Sequence, residues 1–350
     1  MIAVDVFSGA GGSSLGFALE GFKIAGGLEI DLKASLSYRF NLQAPVLVGD
    51  ANRVSPGDFL DFLGLDSVDV MIACPPCQGF TRMRIYRLRK RGSEDPRNAL
   101  AVRLLEYVGR IKPKVLVYEN VPGVLEWSGG AYARALLNGL RREGYRVAYG
   151  ILDAANYGAP QFRKRLILIA SLDAEPFLPP PTHGDPRSAA VRARLLEPWR
   201  TVRDAIGDLP PLNAGEVHPG DPLHAAPDHG PRALAVIRAI PKDGGSRGHL
   251  PPELQLPCHA RVGGFRDVYG RMRWDAPAPT VTGGVYSPSK GRYVHPEQDR
   301  GITLREAARL QGFPDDYRFF GNRHEIAAQI GNAMPVPLAR ALARAVKELL

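Results

Sequence analysis

The sequence predicts an α/β protein built on a doubly wound, mainly parallel sheet of the Rossmann-like type, joined to a smaller, irregular, strand-containing domain. Strand-like apolar runs alternate with segments of helical periodicity, such as residues 97 to 110 and 131 to 143. This alternation is typical of parallel strands connected by helices that cover both faces of a sheet. In chain order the runs are IAVDVF, KIAGGLEI, PVLVGD, VDVMIAC, KVLVYEN, YRVAYGILD and RLILIA.

The composition changes after the last of these runs, where the chain reads PFLPPPTHGDP and then stays rich in Pro, Gly and His. Such a stretch favours short strands and loops, as in a recognition module. Further on, Thr303 and Glu306 form a capping-box pair ahead of a helix, and a last helix over 336–350 is expected to return to the sheet. The predicted domains are residues 1–175 plus 321–350, and residues 176–320.

The charge balance favours a polyanionic partner. The 350 residues include 45 Lys and Arg against 36 Asp and Glu, a net charge of +9. Nucleic acid is the leading partner, and a solvated basic surface is the alternative. No run of eighteen apolar residues occurs, so we expect a cytoplasmic protein without a membrane segment. Three cysteines predict neither a disulfide framework nor a metal site.

A glycine-rich turn follows the first strand and predicts a nucleotide-like ligand. Residues 5–12 read DVFSGAGG, and glycines there allow a tight turn and close approach of a ligand to the backbone at a helix start. Glu29 ends the second strand, where a carboxylate can bind ribose hydroxyls, and Asp50 ends the third, near the expected adenine. The layout suits S-adenosylmethionine and NAD alike, although Ser14 departs from the NAD fingerprint. A purely structural turn is the alternative.

Cys77 is the candidate nucleophile. It follows the fourth strand after Pro75 and Pro76, at the carboxyl edge where doubly wound sheets bind ligands, and the prolines stiffen the backbone that holds the thiol. The alternatives are a redox pair with Cys74 and a buried thiol. Glu119 ends the next strand, so a carboxylate is expected beside the thiol.

Two arginines, Arg163 and Arg165, lie on one face where the chain enters RLILIA, and they suit an anionic or carbonyl-rich ligand. Taken together, the motifs resemble the cytosine-C5 DNA methyltransferase family of the restriction-modification type. The resemblance covers nearly the whole chain except about 172–272. The matching segments, in the family's order, are DVFSGAGG, Glu29, Asp50, PPCQGF, ENV, QFRKR, TLREAARLQGFPDDY and QIGNAMP.

The resemblance implies roles for the reacting groups. Cys77 matches the thiolate that adds to C6 of cytosine, and Glu119 matches the acid that donates a proton or hydrogen bond to N3. Arg165 is assigned to the base oxygen O2 and the cysteine region. Arg163 belongs to the same catalytic pair, or else anchors phosphate or a loop. The sequence identifies no residue as the base that removes the C5 proton, and water is the candidate for that base.

The resemblance also implies the ligands. The cofactor is S-adenosylmethionine, and its expected contacts are Phe7, Gly9, Ala10, Gly11, Gly12, Glu29, Ile30, Asp50, Ala51, Pro76, Leu100, Asn332 and Ala333. The target base must rotate out of double-stranded DNA, at a cost of a few kcal/mol. The expected DNA contacts are Gln78, Arg82, Arg84, Arg87 and Arg89 after the nucleophile, and Arg261, Arg266, Arg271 and Arg273 in the variable stretch. The resemblance implies a monomer, and it allows a companion endonuclease that acts on the same DNA sequence.

Three other functions stay open. The tRNA-modifying branch of the family shares the chemistry but typically reads Pro-Pro-Cys-Gln-Pro-Phe and carries Cys-Phe-Thr, whereas this chain has Gly79 and lacks Cys-Phe-Thr, which favours DNA. A catalytically silent DNA-binding regulator would keep the fold, but every catalytic position is intact. An NAD-dependent oxidoreductase is the remote third.

Overall fold

The main sheet has six strands that run in the same direction and one reversed strand near its edge. A computed structural model describes residues 1–76, 100–255 and 267–350. Within these ranges the strand order is β3-β2-β1-β4-β5-β7-β6, with β7 antiparallel to both of its neighbours. All the predicted runs form strands, and the prediction of a mainly parallel sheet is confirmed. The strands are β1 (Ile2–Val6), β2 (Lys23–Glu29), β3 (Val46–Val48), β4 (Val70–Ala73), β5 (Val115–Asn120), β6 (Arg146–Asp153) and β7 (Lys164–Ser171).

An α-helix follows each of the first five strands of the sheet, and further, mostly shorter, helices lie in the rest of the described chain. Thr303 caps α9 through the predicted box, because its hydroxyl accepts the Glu306 N–H and the Glu306 carboxylate accepts the Thr303 N–H. The helices are α1 (Gly12–Leu19), α2 (Leu32–Leu42), α3 (Pro56–Leu63), α4 (Leu100–Ile111), α5 (Ala131–Arg142), α6 (Ala189–Arg192), α7 (Val202–Ile206), α8 (Pro231–Ala239), α9 (Leu304–Leu310), α10 (Arg323–Asn332) and α11 (Val336–Lys347). A two-stranded piece joins β8 (His183–Gly184) to β9 (Glu197–Pro198).

The core lies on the two faces of the central strands. Every residue of β4 and β5 is buried, as expected for parallel strands covered by helices on both sides. In α4 the buried residues Leu100, Leu104, Val108 and Ile111 follow helical spacing and form the stripe that faces this core. None of the described helices is long and apolar enough to cross a membrane.

The helix that follows the glycine-rich turn is held by the last helix. A Cβ added to Gly16 in α1 would lie only 2.4 Å from the Cβ of Ala339 in α11, so glycine is needed for the two helices to pack this closely. Nearby, Glu20 accepts hydrogen bonds from Arg340 at 2.7 Å and Arg344 at 2.9 Å. The packing fixes α1, and with it the turn that precedes α1.

Two compact units divide the described chain. The first comprises Met1–Tyr157, Lys164–Pro181 and Met334–Leu350, and contains the main sheet. The second comprises Gly158–Arg163 and Thr182–Ala333. Its interior includes the buried pair of Arg300 and Glu306, joined by two hydrogen bonds of 2.9 and 2.7 Å.

Candidate active site

The parallel strands bring the predicted site residues of the first unit to one edge of the sheet. In the register of the sheet, Glu29 pairs with Val48 of β3, and Ala73 of β4 pairs with Tyr118 of β5. The carboxyl ends of β1 to β5 therefore lie side by side. This edge is where doubly wound sheets place their ligands. Phe7, Glu29, Asp50, Pro76 and Glu119 lie at or just beyond these strand ends.

The turn after β1 is built from left-handed backbone and one carboxylate. Phe7, Gly9 and Gly11 have φ of 67°, 53° and 90°, conformations that are uncommon for a residue with a side chain such as Phe7. The carboxylate of Glu29 accepts the Gly9 N–H at 2.8 Å and the Asp31 N–H at 2.9 Å. Burial raises the pKa of Glu29, and these N–H donors act against that rise. A Cβ at Gly9 would meet no atom within 4 Å, so space is open above the turn.

A second carboxylate, Asp5, lies beneath the same turn and was not singled out as a site residue. It is fully buried, and its Oδ2 accepts hydrogen bonds from the hydroxyls of Ser13 and Ser14, each at 2.7 Å. Its Oδ1 is buried with no hydrogen-bond partner among the described residues. Burial raises the pKa of Asp5 to about 7, against the lowering effect of the two hydroxyls. The motif Asp5 with two serines in the first turn of α1 is the signal that could have indicated this contact.

The other predicted cofactor residues of this unit surround the same edge. Ile30 follows Glu29 and leaves 66% of its apolar side chain exposed, and Ala51 is buried in the turn after Asp50. Asp50 accepts the Asn52 N–H at 2.9 Å through Oδ1. Leu100 is buried at the start of α4.

Glu119 and Arg165 form a buried ion pair. The Arg165 Nε lies 2.7 Å from Glu119 Oε1, and Glu119 is only 7% exposed. In the antiparallel register of β5 and β7, Glu119 faces Ile167, so Arg165 is its diagonal neighbour on the same sheet face. A long side chain can span that diagonal. The structure therefore brings together the two residues that the sequence assigned to N3 and O2.

Asn120 links the end of β5 to Pro75, in the chain that leads to the predicted nucleophile. It is fully buried, and its Nδ2 donates to the Tyr118 hydroxyl at 3.0 Å and to the Pro75 carbonyl at 3.4 Å. The ends of β5 and β4 are joined by this side chain. Sequence reasoning quoted Asn120 in its motif but gave it no role. The predicted nucleophile Cys77 and the predicted DNA contacts Gln78, Arg82, Arg84, Arg87, Arg89, Arg261 and Arg266 lie outside the described residues.

Arg163 anchors a loop, which was the second of its two predicted roles. It is 3% exposed, and its guanidinium donates to the Val281 carbonyl at 2.7 Å and to the Gly331 carbonyl at 3.0 Å. Gln161 holds the other side of the same segment, because its Oε1 accepts the Val281 N–H at 3.1 Å. These contacts fit the loop-anchoring role, and the catalytic role of Arg163 stays a prediction.

Of the predicted DNA contacts, two lie in the described residues, and one of these is buried while the other is exposed. Arg271 is fully buried and donates to the carbonyls of Ile237, Ile240, His295 and Gln298 and to the carboxylate of Asp299. A guanidinium used in this way is not available to DNA, so the prediction for Arg271 was wrong. Arg273 is exposed, and its stem lies across Gly244, where φ is +99°.

Asn332 and Ala333 end α10 in the second unit. Asn332 is exposed, and the Ala333 N–H donates to the Gln329 carbonyl at 3.2 Å. Their predicted contact with the cofactor stays a prediction.

The strand order, the single reversed strand β7 and the carboxylate-bearing turn after β1 define the fold of the S-adenosylmethionine-dependent methyltransferases. The crystal structure of a protein described as a DNA modification methyltransferase encoded within an E. coli prophage has this fold, with a TM-score of 0.76, 23% identity, and coverage of 100% of this chain and 99% of that one.

Sequence comparison gives the family. The C-5 cytosine-specific DNA methylase family matches residues 1–218 and 242–348. The Type II methylase M.HgiDII of Herpetosiphon aurantiacus is 33% identical over 99% of this chain and 95% of its own length. The Type II methyltransferase M1.HphI of Haemophilus parahaemolyticus is 35% identical over 99% and 86%. The chain therefore belongs to the C-5 cytosine-specific DNA methylase family, and it is an enzyme of that class.

Proposed function

We propose that this enzyme transfers a methyl group from S-adenosylmethionine to C5 of a cytosine rotated out of duplex DNA, through a covalent bond between Cys77 and C6. The observation that carries the proposal is the buried pair of Glu119 and Arg165 at the carboxyl edge of the sheet. Asn120, the residue after Glu119 in β5, donates to the Pro75 carbonyl, two residues before the thiol in sequence. The chain that leads from Pro75 to the thiol therefore starts beside β5, the strand that carries Glu119.

The charges around the glycine-rich turn fit S-adenosylmethionine better than NAD. A dinucleotide places its pyrophosphate on free donors at a helix N-terminus. Here the Asp5 carboxylate already takes two hydroxyls of the first turn of α1, and Glu29 takes the Gly9 N–H. The Glu29 carboxylate, with Asp5 in so far as it is ionised at neutral pH, repels a pyrophosphate but attracts a ligand that carries sulfonium and ammonium charges.

Four positions of this edge would hold the cofactor. Phe7 and Gly9 would approach its methionine part, Glu29 its ribose hydroxyls, and Asp50 its adenine. When bound, S-adenosylmethionine supplies an electrophilic methyl group on sulfur.

The chemistry at cytosine belongs to the chain's own residues. The Cys77 thiolate forms a bond to C6, and the C5–C6 electron pair moves through the ring toward N3, where Glu119 donates a proton or a hydrogen bond. Arg165 holds Glu119 and binds O2. C5 becomes nucleophilic and accepts the methyl group. Water then removes the C5 proton, Glu119 takes back any proton that it gave to N3, the C5–C6 double bond re-forms, and the S–C6 bond breaks to return the thiolate.

The partners follow from the same proposal. The net charge of +9 favours the DNA backbone. The Type II names of the two relatives support a companion endonuclease. The enzyme would work in the cytoplasm as a monomer on DNA. Arg273 is the described candidate for a DNA contact.

Methyl transfer from labelled S-adenosylmethionine to unmethylated duplex DNA and to tRNA, measured in parallel, tests the proposal. We expect label at C5 of cytosine in DNA, lost in Cys77→Ala and reduced at least about 100-fold in Glu119→Gln. Glu143→Gln is the matched control, because Glu143 is a partly exposed carboxylate of the same unit paired with Lys112. Its activity should equal that of the wild type. Label in tRNA alone would assign the chain to the tRNA branch, and DNA binding without label would favour the silent regulator.

A further inference from the structure

Two backbone carbonyls on the inner side of the turn after β3 are satisfied by side chains of α4. The hydroxyl of Tyr107 lies 2.8 Å from the Val54 carbonyl and 3.2 Å from the Ala51 carbonyl. The Nε of Arg103 donates to the same Ala51 carbonyl at 3.2 Å. This turn begins at Asp50, the residue assigned to the adenine, so α4 supports the adenine end of the site from below.

The Ala51 carbonyl has no easy substitute for these donors, whereas Val54 is partly exposed. Tyr107 is fully buried and Ala51 is 5% exposed, so water has little access to this side of the turn. A buried carbonyl left without a donor costs about 1–3 kcal/mol. A hydroxyl has one proton and serves one carbonyl at a time, and Arg103 supplies the second donor. Burial raises the pKa of Tyr107 to about 12, which keeps the phenol a donor at neutral pH.

The outer side of the turn is fixed by Asp50 itself. Its Oδ1 accepts the N–H of Asn52 at 2.9 Å and the side-chain Nδ2 of Asn52 at 3.1 Å. Its backbone carbonyl accepts the N–H groups of Arg53 and Val54, at 2.8 and 2.9 Å. The Val54 carbonyl then points to Tyr107. Loss of the Tyr107 hydroxyl would therefore release a segment whose other end is the Asp50 carboxylate.

We infer that Tyr107 is a positioning residue for adenine recognition, with Arg103 as its second support, and that it acts through the turn from Asp50 to Val54. The inference rests on the proposed function, because it assigns a role toward the cofactor of that site. Neither residue touches the cofactor in this account. Their contribution is the orientation of Asp50, which reads the 6-amino group of adenine.

The test measures binding of S-adenosylhomocysteine and of its inosine analogue, which lacks the 6-amino group, by isothermal titration calorimetry. Tyr107→Phe should weaken binding of S-adenosylhomocysteine by about 5- to 20-fold, a fold-change typical of a lost buried hydrogen bond. Binding of the inosine analogue should change by less than about twofold. Arg103→Met, which removes the Ala51 contact together with the ion pair of Arg103 and Glu106, should give a smaller loss of the same kind.

Tyr145→Phe is the matched control. Tyr145 is also a buried tyrosine of the first unit, and its hydroxyl donates to the Pro113 carbonyl at 2.7 Å. Removing that hydroxyl should lower stability about as much and leave both affinities unchanged. Asp50→Asn completes a double-mutant cycle, in which the losses from Asp50→Asn and Tyr107→Phe should not add, because both act on one contact.

Each outcome decides a different point. Equal affinities in Tyr107→Phe and Tyr145→Phe, or additive losses with Asp50→Asn, would overturn the positioning role while leaving the proposed function intact. A wild-type protein that binds neither ligand would overturn the proposed function and the inference together. The inference is supported if the wild type binds S-adenosylhomocysteine more tightly than the inosine analogue and both Asp50→Asn and Tyr107→Phe lose this preference.

Discussion

Asp5 is a fully buried carboxylate whose substitution should change how stability depends on pH. Its pKa rises from 3.8 to about 7 in the folded protein, chiefly because burial disfavours the charged form. At about 1.4 kcal/mol for each pKa unit, this difference corresponds to about 4 kcal/mol. Asp5→Asn keeps the shape and an oxygen that can accept from Ser13 and Ser14, but it cannot ionise.

The direction of the effect follows from which state binds the proton more tightly. Because the folded pKa is the higher one, the folded protein keeps a proton on Asp5 between about pH 4 and pH 7 while the unfolded chain loses it. Asp5 therefore lowers the free energy of unfolding as pH rises through this window, and its full cost is present above about pH 7. Asp5→Asn removes that slope. The free energy of unfolding of Asp5→Asn minus that of the wild type should be about 4 kcal/mol larger at pH 8 than at pH 4.

Urea denaturation at a series of pH values, followed by tryptophan fluorescence, measures this difference. Asp69→Asn is the control of opposite sign, because a hydrogen bond from Lys114 lowers the pKa of Asp69. Asp69 stabilises the fold above its unfolded pKa, and that contribution is lost as pH falls through its folded pKa. Asp69→Asn should therefore cost more at pH 7 than at low pH. Equal pH profiles for Asp5→Asn and the wild type would refute the reasoning about Asp5.

Three further predictions follow from the site and the second unit. Arg165→Met should lower methyl transfer by about 100-fold or more while the affinity for S-adenosylhomocysteine stays unchanged, as measured by steady-state kinetics and calorimetry. Arg271→Met should destabilise the protein by about 3–5 kcal/mol in urea denaturation, since it leaves buried carbonyls unpaired. Arg273→Met should leave stability unchanged and lower the salt dependence of DNA binding. Gly331→Ala should destabilise, because its Cβ would lie 2.1 Å from the Gly283 nitrogen, and a melting temperature equal to that of the wild type would contradict the packing.

The strands and the chemical edge of the fold were predictable because they depend on local patterns. Each run bounded by turn residues became a strand, and parallel strands carry their carboxyl ends to one edge. The reversal of β7 was not predicted, since an apolar run has no direction of its own. The short connection from Asp153 to Lys164, which holds no α-helix, was the available signal, because a parallel crossover needs a dozen or more residues and usually a helix.

The arginines were the hardest residues to assign from sequence. Arg165 meets Glu119 through the pairing of β5 and β7, and that register was unknown until the sheet was known. Arg271 is buried because carbonyls from Ile237 and His295, each more than twenty residues away in sequence, converge on it. Long-range convergence of this kind leaves no periodic signal. Asp5 escaped notice for a different reason, since its burial depends on the close packing of α1 on the sheet.

Trapping of the covalent intermediate is the most direct test of the central claim. A duplex oligonucleotide that carries 5-fluorocytosine at the methylated position has no C5 proton to lose, so the S–C6 bond formed during methyl transfer cannot break. We predict a protein–DNA adduct that forms only with S-adenosylmethionine, retains the transferred methyl group, and maps by mass spectrometry to the peptide of Cys77. Methyl transfer without an adduct, or an adduct on another residue, would contradict attack by Cys77.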